Sequence, residues 1–328
     1  MTGAVRLGAG IVFATLLLFP HLSGFHPYYL YLLSTAFLWG TLATSWNLLA
    51  YAGQISFGHA AFFGLGAYGA ALASLQGLSP WWAVGVGGIV GAAGAVGIGI
   101  VSLRLKGAYL ALATLAYAEI WRGIALNWTG LTGGGSGLIG IPALPALAGL
   151  PVDFTRGHAG GYYLSLGFLL AVLALFAGVL RSRVGLAFSA IREEEERAGL
   201  LGVPSRRYKL LAFALTAFPT ALSGGLYAHT IGVVEPDLVF SRSFSILPLV
   251  MAAFGGLHTL WGPAVAALGL YLSSELLFHP YAPALHQIPY ALALIAVVLY
   301  LPGGLASLFQ LPPRLRPPAL SRKRRAHP

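Results

Sequence analysis

The chain has 328 residues, 57% of them hydrophobic and 9% charged, with a mean hydropathy of +0.79 and a formal net charge of +10. Soluble domains carry about 25% charged residues, so this chain has too few charges to cover a water-facing surface, and a soluble catalytic domain is excluded. It contains no cysteine, which excludes a disulfide framework and thiolate chemistry.

Apolar runs recur along the whole chain, at about 7–20, 28–50, 57–75, 81–103, 108–127, 161–181, 210–231, 243–257, 262–278 and 286–301. A membrane-spanning helix needs ~20 apolar residues to cross ~30 Å of hydrocarbon. Inside lipid every backbone group must find its partner within the protein, so each run is predicted to be helical. The ~10-residue alternation of barrel strands does not occur. The predicted fold class is all-α: a polytopic transmembrane bundle of about ten spans, forming one domain over 1–310 with a basic tail at 311–328. The first run follows Arg6 like a signal peptide, but no A-x-A cleavage site comes after it, so it is predicted as an uncleaved span. The runs 243–257 and 262–278 are short and rich in glycine and proline, and fit either half-helices or one bent hairpin.

The basic residues cluster at 104–106, 181–209 and 314–325, between or beyond the apolar runs. Cytoplasmic loops of membrane proteins carry this excess, so the net charge reports topology and no nucleic-acid partner is expected. Ten spans place both termini on one side, and the count returns each basic cluster to that same cytoplasmic side. The tail with Arg322, Lys323, Arg324 and Arg325 is expected on the anionic inner leaflet of the lipid bilayer.

Between the second and third runs, Asn47, Gln54, Ser56 and His59 fall at or near membrane depth, where Gly53 and Gly58 interrupt the helix. Polar groups in a span turn toward a partner or a wet cavity, and broken backbone is tolerated where it lines protein or water. These residues are candidates for a substrate path, with hydrogen bonding that holds the bundle together as the alternative. For His59 alone the alternative is preferred. Gly85, Gly87, Gly88, Gly91, Gly94, Gly97 and Gly99 fill the fourth run, where small residues let helices approach closely. Glu119 and Arg122, spaced i, i+3 near the end of the fifth run, are able to pair with each other.

The largest outer-side loop, about 128–160, contains Gly133, Gly134, Gly135 and Gly137. A phosphate-binding loop would end in Gly-Lys-Ser/Thr. The lysines are Lys106, Lys209 and Lys323, and none follows a glycine. Any ATP that drives this protein must therefore bind another subunit. There is no H-E-x-x-H or G-x-S-x-G, and the histidines lack ligand spacing. No catalytic residue and no metal ligand is predicted.

The stretch 182–209 is a polar connection between two long runs. Residues 185–200 are predicted as one helix, with Ile191, Arg192, Glu193, Glu194, Glu195, Glu196 and Arg197 in its middle and Leu201, Gly202, Val203 and Pro204 at its end. Four adjacent glutamates suit a docking surface for a basic partner. They equally suit a solvated helix held by Arg192–Glu196 and Glu193–Arg197 pairs at i, i+4. A second glycine-rich break follows at Gly255 and Gly256, up to Gly262 and Pro263. One such break in each half is the arrangement expected of paired internal repeats around a central site.

Several runs together resemble the branched-chain amino-acid ABC permeases of the LivM type. They are Tyr51-Ala-Gly-Gln-Ile-Ser-Phe-Gly-His-Ala-Ala-Phe-Phe-Gly-Leu-Gly-Ala-Tyr68, Leu103-Arg-Leu-Lys-Gly-Ala-Tyr109, Leu131-Thr-Gly-Gly-Gly-Ser-Gly-Leu138, Ala190-Ile-Arg-Glu-Glu-Glu-Glu-Arg-Ala198 and Ala253-Phe-Gly-Gly-Leu257. The resemblance covers roughly residues 40 to 275. It implies an ABC importer permease fold with internal inverted repeats, in a bacterial inner membrane. It also implies a second homologous permease of the LivH type, two ABC ATPase subunits that hold ATP and magnesium, and a periplasmic amino-acid-binding protein. The resemblance favours the docking reading of Ile191 to Gly202, as the cytoplasmic loop that meets the ATPase. This sequence departs from the family at Gly135-Ser136-Gly137, where an acidic residue is usual. Urea and short-chain amide permeases look similar. A stand-alone secondary transporter would need more ionisable groups in its spans than the sequence offers.

Overall fold

A computed structural model describes residues 14–102, 105–146, 154, 158–278, 292, 295 and 304–305. The first half of the run at 7–20, residues 103–104, most of 147–157, nearly all of the predicted span 286–301 and the basic tail lie outside these residues. The described chain is helical apart from one antiparallel pair of two-residue strands, an addition to the all-α expectation.

The helices follow the apolar runs. They are α1 (14–22), α2 (Pro27–Tyr51), α3 (His59–Leu75), α4 (Pro80–Ser102) and α5 (Ala108–Asn127). A loop with α6 (Thr129–Thr132) and β1 (Leu138–Ile139) leads to α7 (Ala159–Arg181). Then come α8 (Arg183–Glu193), α9 (Glu195–Leu200) and α10 (Ser205–Ile231). Strand β2 (Val233–Val234), α11 (Pro236–Val239), α12 (Ser243–Gly255) and α13 (Gly262–Ser273) complete the described fold. Among the described residues, four stretches are long and apolar enough to cross a membrane: Pro80–Ser102, Ala159–Arg181, Ser205–Ile231 and Pro236–Gly255. The shorter apolar helix His59–Leu75 joins them in the bundle.

Three helices, α3, α4 and α10, form the tightest unit, because small residues meet where they cross. A methyl group on Gly66 would overlap the carbonyl oxygen of Ala221, one on Gly87 the carbonyl of Gly66, and one on Gly224 the carbonyl of Phe63. Backbone is therefore in contact with backbone, as membrane helices achieve through small residues. Of the glycines predicted to pack in α4, Gly87, Gly88, Gly91, Gly94 and Gly99 face neighbours, while Gly85 and Gly97 face open space.

Helix α2 is the central pillar against α7, α10, α12 and α13. Its buried hydroxyls cause no packing defect, since Ser34, Thr41, Thr44 and Ser45 each donate to the carbonyl four residues earlier, at 2.7–3.0 Å. The α12–α13 pair is an antiparallel hairpin of 13 and 12 residues. Both arms run beyond these limits: α12 lies in the apolar stretch Pro236–Gly255, which is long enough to cross, and α13 continues through a π-helical turn over Ser274–Phe278.

The predicted single helix over 185–200 is corrected to two. Glu194 is extended (φ −159°, ψ 104°) and separates α8 from α9. The expected Arg192–Glu196 and Glu193–Arg197 pairs give way, among the described residues, to Arg197–Glu194 at 2.8 Å and to contacts of Glu195 with Lys209 and Lys106. The physical reason is the break itself. It removes the i, i+4 register across Glu194 and turns Glu195 back toward the bundle.

Candidate functional site

The turn at one end of α2 shows how broken backbone is accommodated. Between Tyr51 and His59 the chain leaves the helix, and the freed groups are taken up by side chains from neighbouring elements. The Phe57 N–H donates to Thr114 Oγ1 at 3.0 Å, the Gly58 N–H to Ser56 Oγ at 3.0 Å, and Trp46 Nε1 donates to the Ser56 carbonyl at 2.8 Å. The Ala60 N–H donates to Ser245 Oγ at 3.0 Å, tying the start of α3 to α12.

The second break, between α12 and α13, lies against the first. Asn47 donates through Nδ2 to the Thr259 carbonyl at 2.7 Å and accepts the His258 N–H on Oδ1 at 3.0 Å. The Tyr51 hydroxyl donates to the His258 carbonyl. These bonds hold His258 in the left-handed region at φ 65°, uncommon for a residue with a side chain. Burial pushes the His258 imidazole below its ordinary range, and the nearby Arg192 charge acts in the same sense. Gly255 and Gly262 pack backbone on backbone at the neck of the hairpin, and a methyl group on either would overlap the other's carbonyl group.

Helix α8 ends against the first break. A methyl group on Gly53 would come within 3.0 Å of the Arg192 Cα, and the Arg192 guanidinium lies 6.0 Å from the Tyr51 ring centre. Helix α8 is anchored below by Phe188 and Ile191, both buried, and its first turn is capped by Ser182 Oγ, which accepts the Val184 N–H at 3.1 Å. Glu195 bonds Lys209 Nζ at 2.6 Å and Lys106 Nζ at 3.4 Å, which joins α9 to the second turn of α10 and to the α4–α5 turn. Burial would raise the Glu195 carboxyl, but hydrogen bonds and charge from the two lysines outweigh it and hold the group below its usual range. The outer side of this bracket is different. Glu193, Glu194, Glu196 and Arg197 are exposed. Leu200 and Leu201 at its tip are 88% and 85% exposed.

The other cluster of charges is further along α5. Arg242 Nε donates to Glu119 Oε1 at 2.7 Å, Arg122 reaches Glu119 at 3.5 Å, and Arg122 Nε donates to Asp237 Oδ1 at 2.8 Å. Arg242 and Asp237 are 71% and 64% exposed, and the two middle groups are about a third exposed. Glu119 is the twelfth residue of the 20 in α5, roughly 17 Å from its start. Arg242 stands at the break between α11 and α12, inside the apolar stretch Pro236–Gly255. On insertion scales a charged side chain at the bilayer centre costs about 2.5–3.5 kcal/mol.

The glycine-rich loop positions this cluster. Leu138 and Ile139 pair with Val234 and Val233. Gly137, at φ +69°, lies so close to the Val234 carbonyl that a side chain there would overlap it. The loop thus pins the backbone that leads into Asp237 and Arg242.

The sequence-derived candidates divide into three sets. Asn47, Ser56, Gly58, Gly255 and Gly256 come together at the meeting of the two breaks, where Asn47 and Ser56 are buried and hydrogen-bonded. His59 is fully buried between Trp46 and Phe62, and its two ring nitrogens and Gln54 Nε2 have no hydrogen-bond partner among the described residues. Ile191 to Gly202 gather at the same end, with Arg192 touching the first break. Sequence reasoning did not single out Leu200, Lys106 and Lys209 in the bracket, or Asp237 and Arg242 in the second cluster. The exposed leucines beside Gly202 were a visible signal, as were two charges within 20 residues of otherwise apolar chain. The ion-pair partners came from distant segments and gave none.

Known proteins resemble this architecture in sequence. Residues 28–301 match the family described as branched-chain amino acid transport system / permease component. The chain is 34% identical over 247 residues to the high-affinity branched-chain amino acid transport system permease protein LivM of Escherichia coli K12, across 69% of this chain and 57% of that one. This chain thus spans little more than half the length of that LivM relative. It is 27% identical over 305 residues to LivH of the same organism, across 84% of this chain and 96% of LivH. It is 27% identical over 168 residues to the autoinducer 2 import system permease protein LsrC of Salmonella typhi, across 50% of this chain and 45% of LsrC. No solved structure matches the chain. With its apolar helices and a match over most of its length, the chain is a multi-pass membrane protein and belongs to the family of branched-chain amino acid transport system permease components.

Proposed function

We propose that this protein is the permease subunit of an ATP-driven ABC importer for branched-chain amino acids, in a bacterial inner membrane, and that α8 and α9 receive the stroke of a separate ATPase. In this reading about ten spans, built from internal inverted repeats in one domain over 1–310, leave both termini and the 311–328 tail in the cytoplasm. A second, LivH-like permease completes the pathway. Two ATPase subunits hold ATP and magnesium, and a periplasmic binding protein delivers the amino acid. The similarity to LivM and LivH supports the cargo and the paired permease.

One observation carries the coupling role. A bracket fixed to three elements by Glu195 holds two leucines and the exposed Glu193 and Glu196 away from the bundle. Exposed apolar side chains set among charges mark a protein-docking surface. The bracket's inner side touches Gly53, Tyr51 and, through them, the His258 loop, so a push on α9 is delivered to both breaks. Hinges of this kind let two bundles rock between outward- and inward-open states. The chain needs no nucleotide site or catalytic residue of its own.

The test is made on the complex with its ATPases. Leu200→Asp with Leu201→Asp is expected to lower leucine uptake at least tenfold and to reduce ATPase co-purification, while Glu193→Ala with Glu196→Ala weakens both by a few fold. Unchanged uptake in the leucine variant would remove the docking role. Uptake of urea in place of leucine by the unaltered complex would move the cargo to the amide class.

A further inference from the structure

The geometry points to the Glu119–Arg122–Asp237–Arg242 cluster as a water-lined contact site for the charged ends of a zwitterionic amino acid, on the face of this chain that borders the translocation pathway. The inference rests on the amino-acid reading above and deepens it.

Two independent features place this face against water and not lipid. The first is charge. Four ionised groups sit beside the middle and second half of α5, and the two outermost, Asp237 and Arg242, are mostly exposed. Charged side chains at membrane depth turn to a bundle interior or a wet cavity, and these turn outward from their own chain. The second is backbone. Between Ile231 and Ser243 the chain is irregular except for two strand residues and one turn of helix, and α12 begins afresh within an apolar stretch. Non-helical backbone at that depth persists where it lines protein or water. Lipid-facing surfaces elsewhere on the chain look different: Ile89 and Val101 on α4 and Leu112 on α5 are exposed and carry no charge.

The chemistry of the cluster matches the cargo. Its two arginines and two carboxylates alternate in the order Arg242, Glu119, Arg122, Asp237 and sum to zero charge. An α-amino acid carries one carboxylate and one ammonium group a few ångströms apart. Arg242, planar and forked, is suited to bind the carboxylate through two N–H donors, while Asp237, the more exposed of the two acids, accepts from the ammonium group. Exposed ion pairs are individually weak, so the groups can exchange their internal partners for the substrate and return. A site on a transport path must release its cargo as readily as it takes it. The glycine loop that pins Val234 fixes the spacing of Asp237 from α5.

The chain has no cysteine of its own, which makes labelling decisive. Asp237→Cys, Arg242→Cys and Ile89→Cys are each prepared in the complete complex and treated with a membrane-impermeant, cationic methanethiosulfonate. The expected result is modification of the first two at least tenfold faster than the third, slowed threefold or more by leucine and its binding protein during turnover. Arg242→Gln is expected to lower leucine uptake at least tenfold, with partial recovery in Arg242→Lys. Labelling no faster than at Ile89→Cys overturns the wet face. Labelling that leucine leaves unchanged, or uptake by Arg242→Gln within twofold of the unaltered protein, overturns the contact. If the unaltered complex takes up no leucine, isoleucine or valine, the cargo assignment fails instead, and the labelling rates without substrate still decide whether the face is wet.

Discussion

Asn47 uses both ends of its amide on a loop more than 200 residues away, the donor on Thr259 and the acceptor on His258. Removing it leaves a carbonyl and an N–H without partners in a half-buried place. A buried group so orphaned costs about 1–3 kcal/mol. Asn47→Ala is therefore expected to lower thermal stability in detergent by an amount of that order, and Asn47→Asp, which sets a carboxylate oxygen against the Thr259 carbonyl at a buried position, by at least as much. An Ala variant that unfolds at the unaltered temperature would mean the two breaks are held together by packing alone. At this scale the sequence was informative about type and silent about partner. Asn47 was visible as a polar residue in an apolar run. The segment it would meet was not, because Thr259 and His258 lie in another part of the chain with no local periodicity to link them. Glu119 illustrates the same point. Its i, i+3 neighbour Arg122 was legible, yet its shorter contact is with Arg242.

Among the elements, α3, α4 and α10 are held at distances set by glycine. Gly66→Ala places a methyl group on the Ala221 carbonyl, and rigid backbone on both sides leaves no side chain to move aside. Overpacking of this kind costs about 1–3 kcal/mol, so we expect a clear loss of thermal stability and of folded yield. Gly97→Ala, on α4 and facing open space, is expected to be neutral or slightly stabilising, since alanine is the better helix former. Equal effects from the two substitutions would show that helix propensity and not contact governs these glycines. The helix limits were largely legible, with α2, α4, α5 and α7 within two residues of the predicted runs. The α8–α9 bracket was not. Nothing in Glu193 to Glu196 marks Glu194 as a break, because all four residues are tolerated in a helix. The break goes with the turn of Glu195 toward Lys209 and Lys106, partners from distant segments that the local sequence does not reveal.

Among the described residues, Lys106, Arg192 and Lys209, both glycine-rich breaks and the bracket share one end. The strand pair belongs to the other end, and the exposed charged cluster lies along α5 between them. Glu195 is the fastening of the basic end, and its chemistry gives a pH signature. Its carboxyl lies below the ordinary value in the folded protein, so the stabilisation is complete above the unfolded-state range near pH 4.3. It fades as pH falls through the lower folded value. Attachment of α9, followed by hydrogen exchange across 195–200, is expected to be constant from pH 8 to 5 and to loosen only under strong acid. In Glu195→Gln it is expected to be looser at every pH and no longer to depend on acid through this group. Loosening of the unaltered protein between pH 7 and 5 would assign the fastening to a histidine, His258 being nearest to the adjoining loop.

The sequence by itself determined that this chain crosses a membrane as helices, roughly where each helix runs, and which end carries the basic connections. Those properties follow from local composition, since hydrocarbon accepts only long apolar segments that satisfy their own backbone and the cytoplasmic face retains arginine and lysine. The tertiary structure alone decided which polar residues are spent on holding the bundle together and which stay exposed at a surface. Asn47 and Glu195 look no different in sequence from Asp237 and Arg242. Their roles part only when distant segments are brought together: all four find partners in the fold, but Asn47 and Glu195 are largely covered while Asp237 and Arg242 keep most of their side chains exposed.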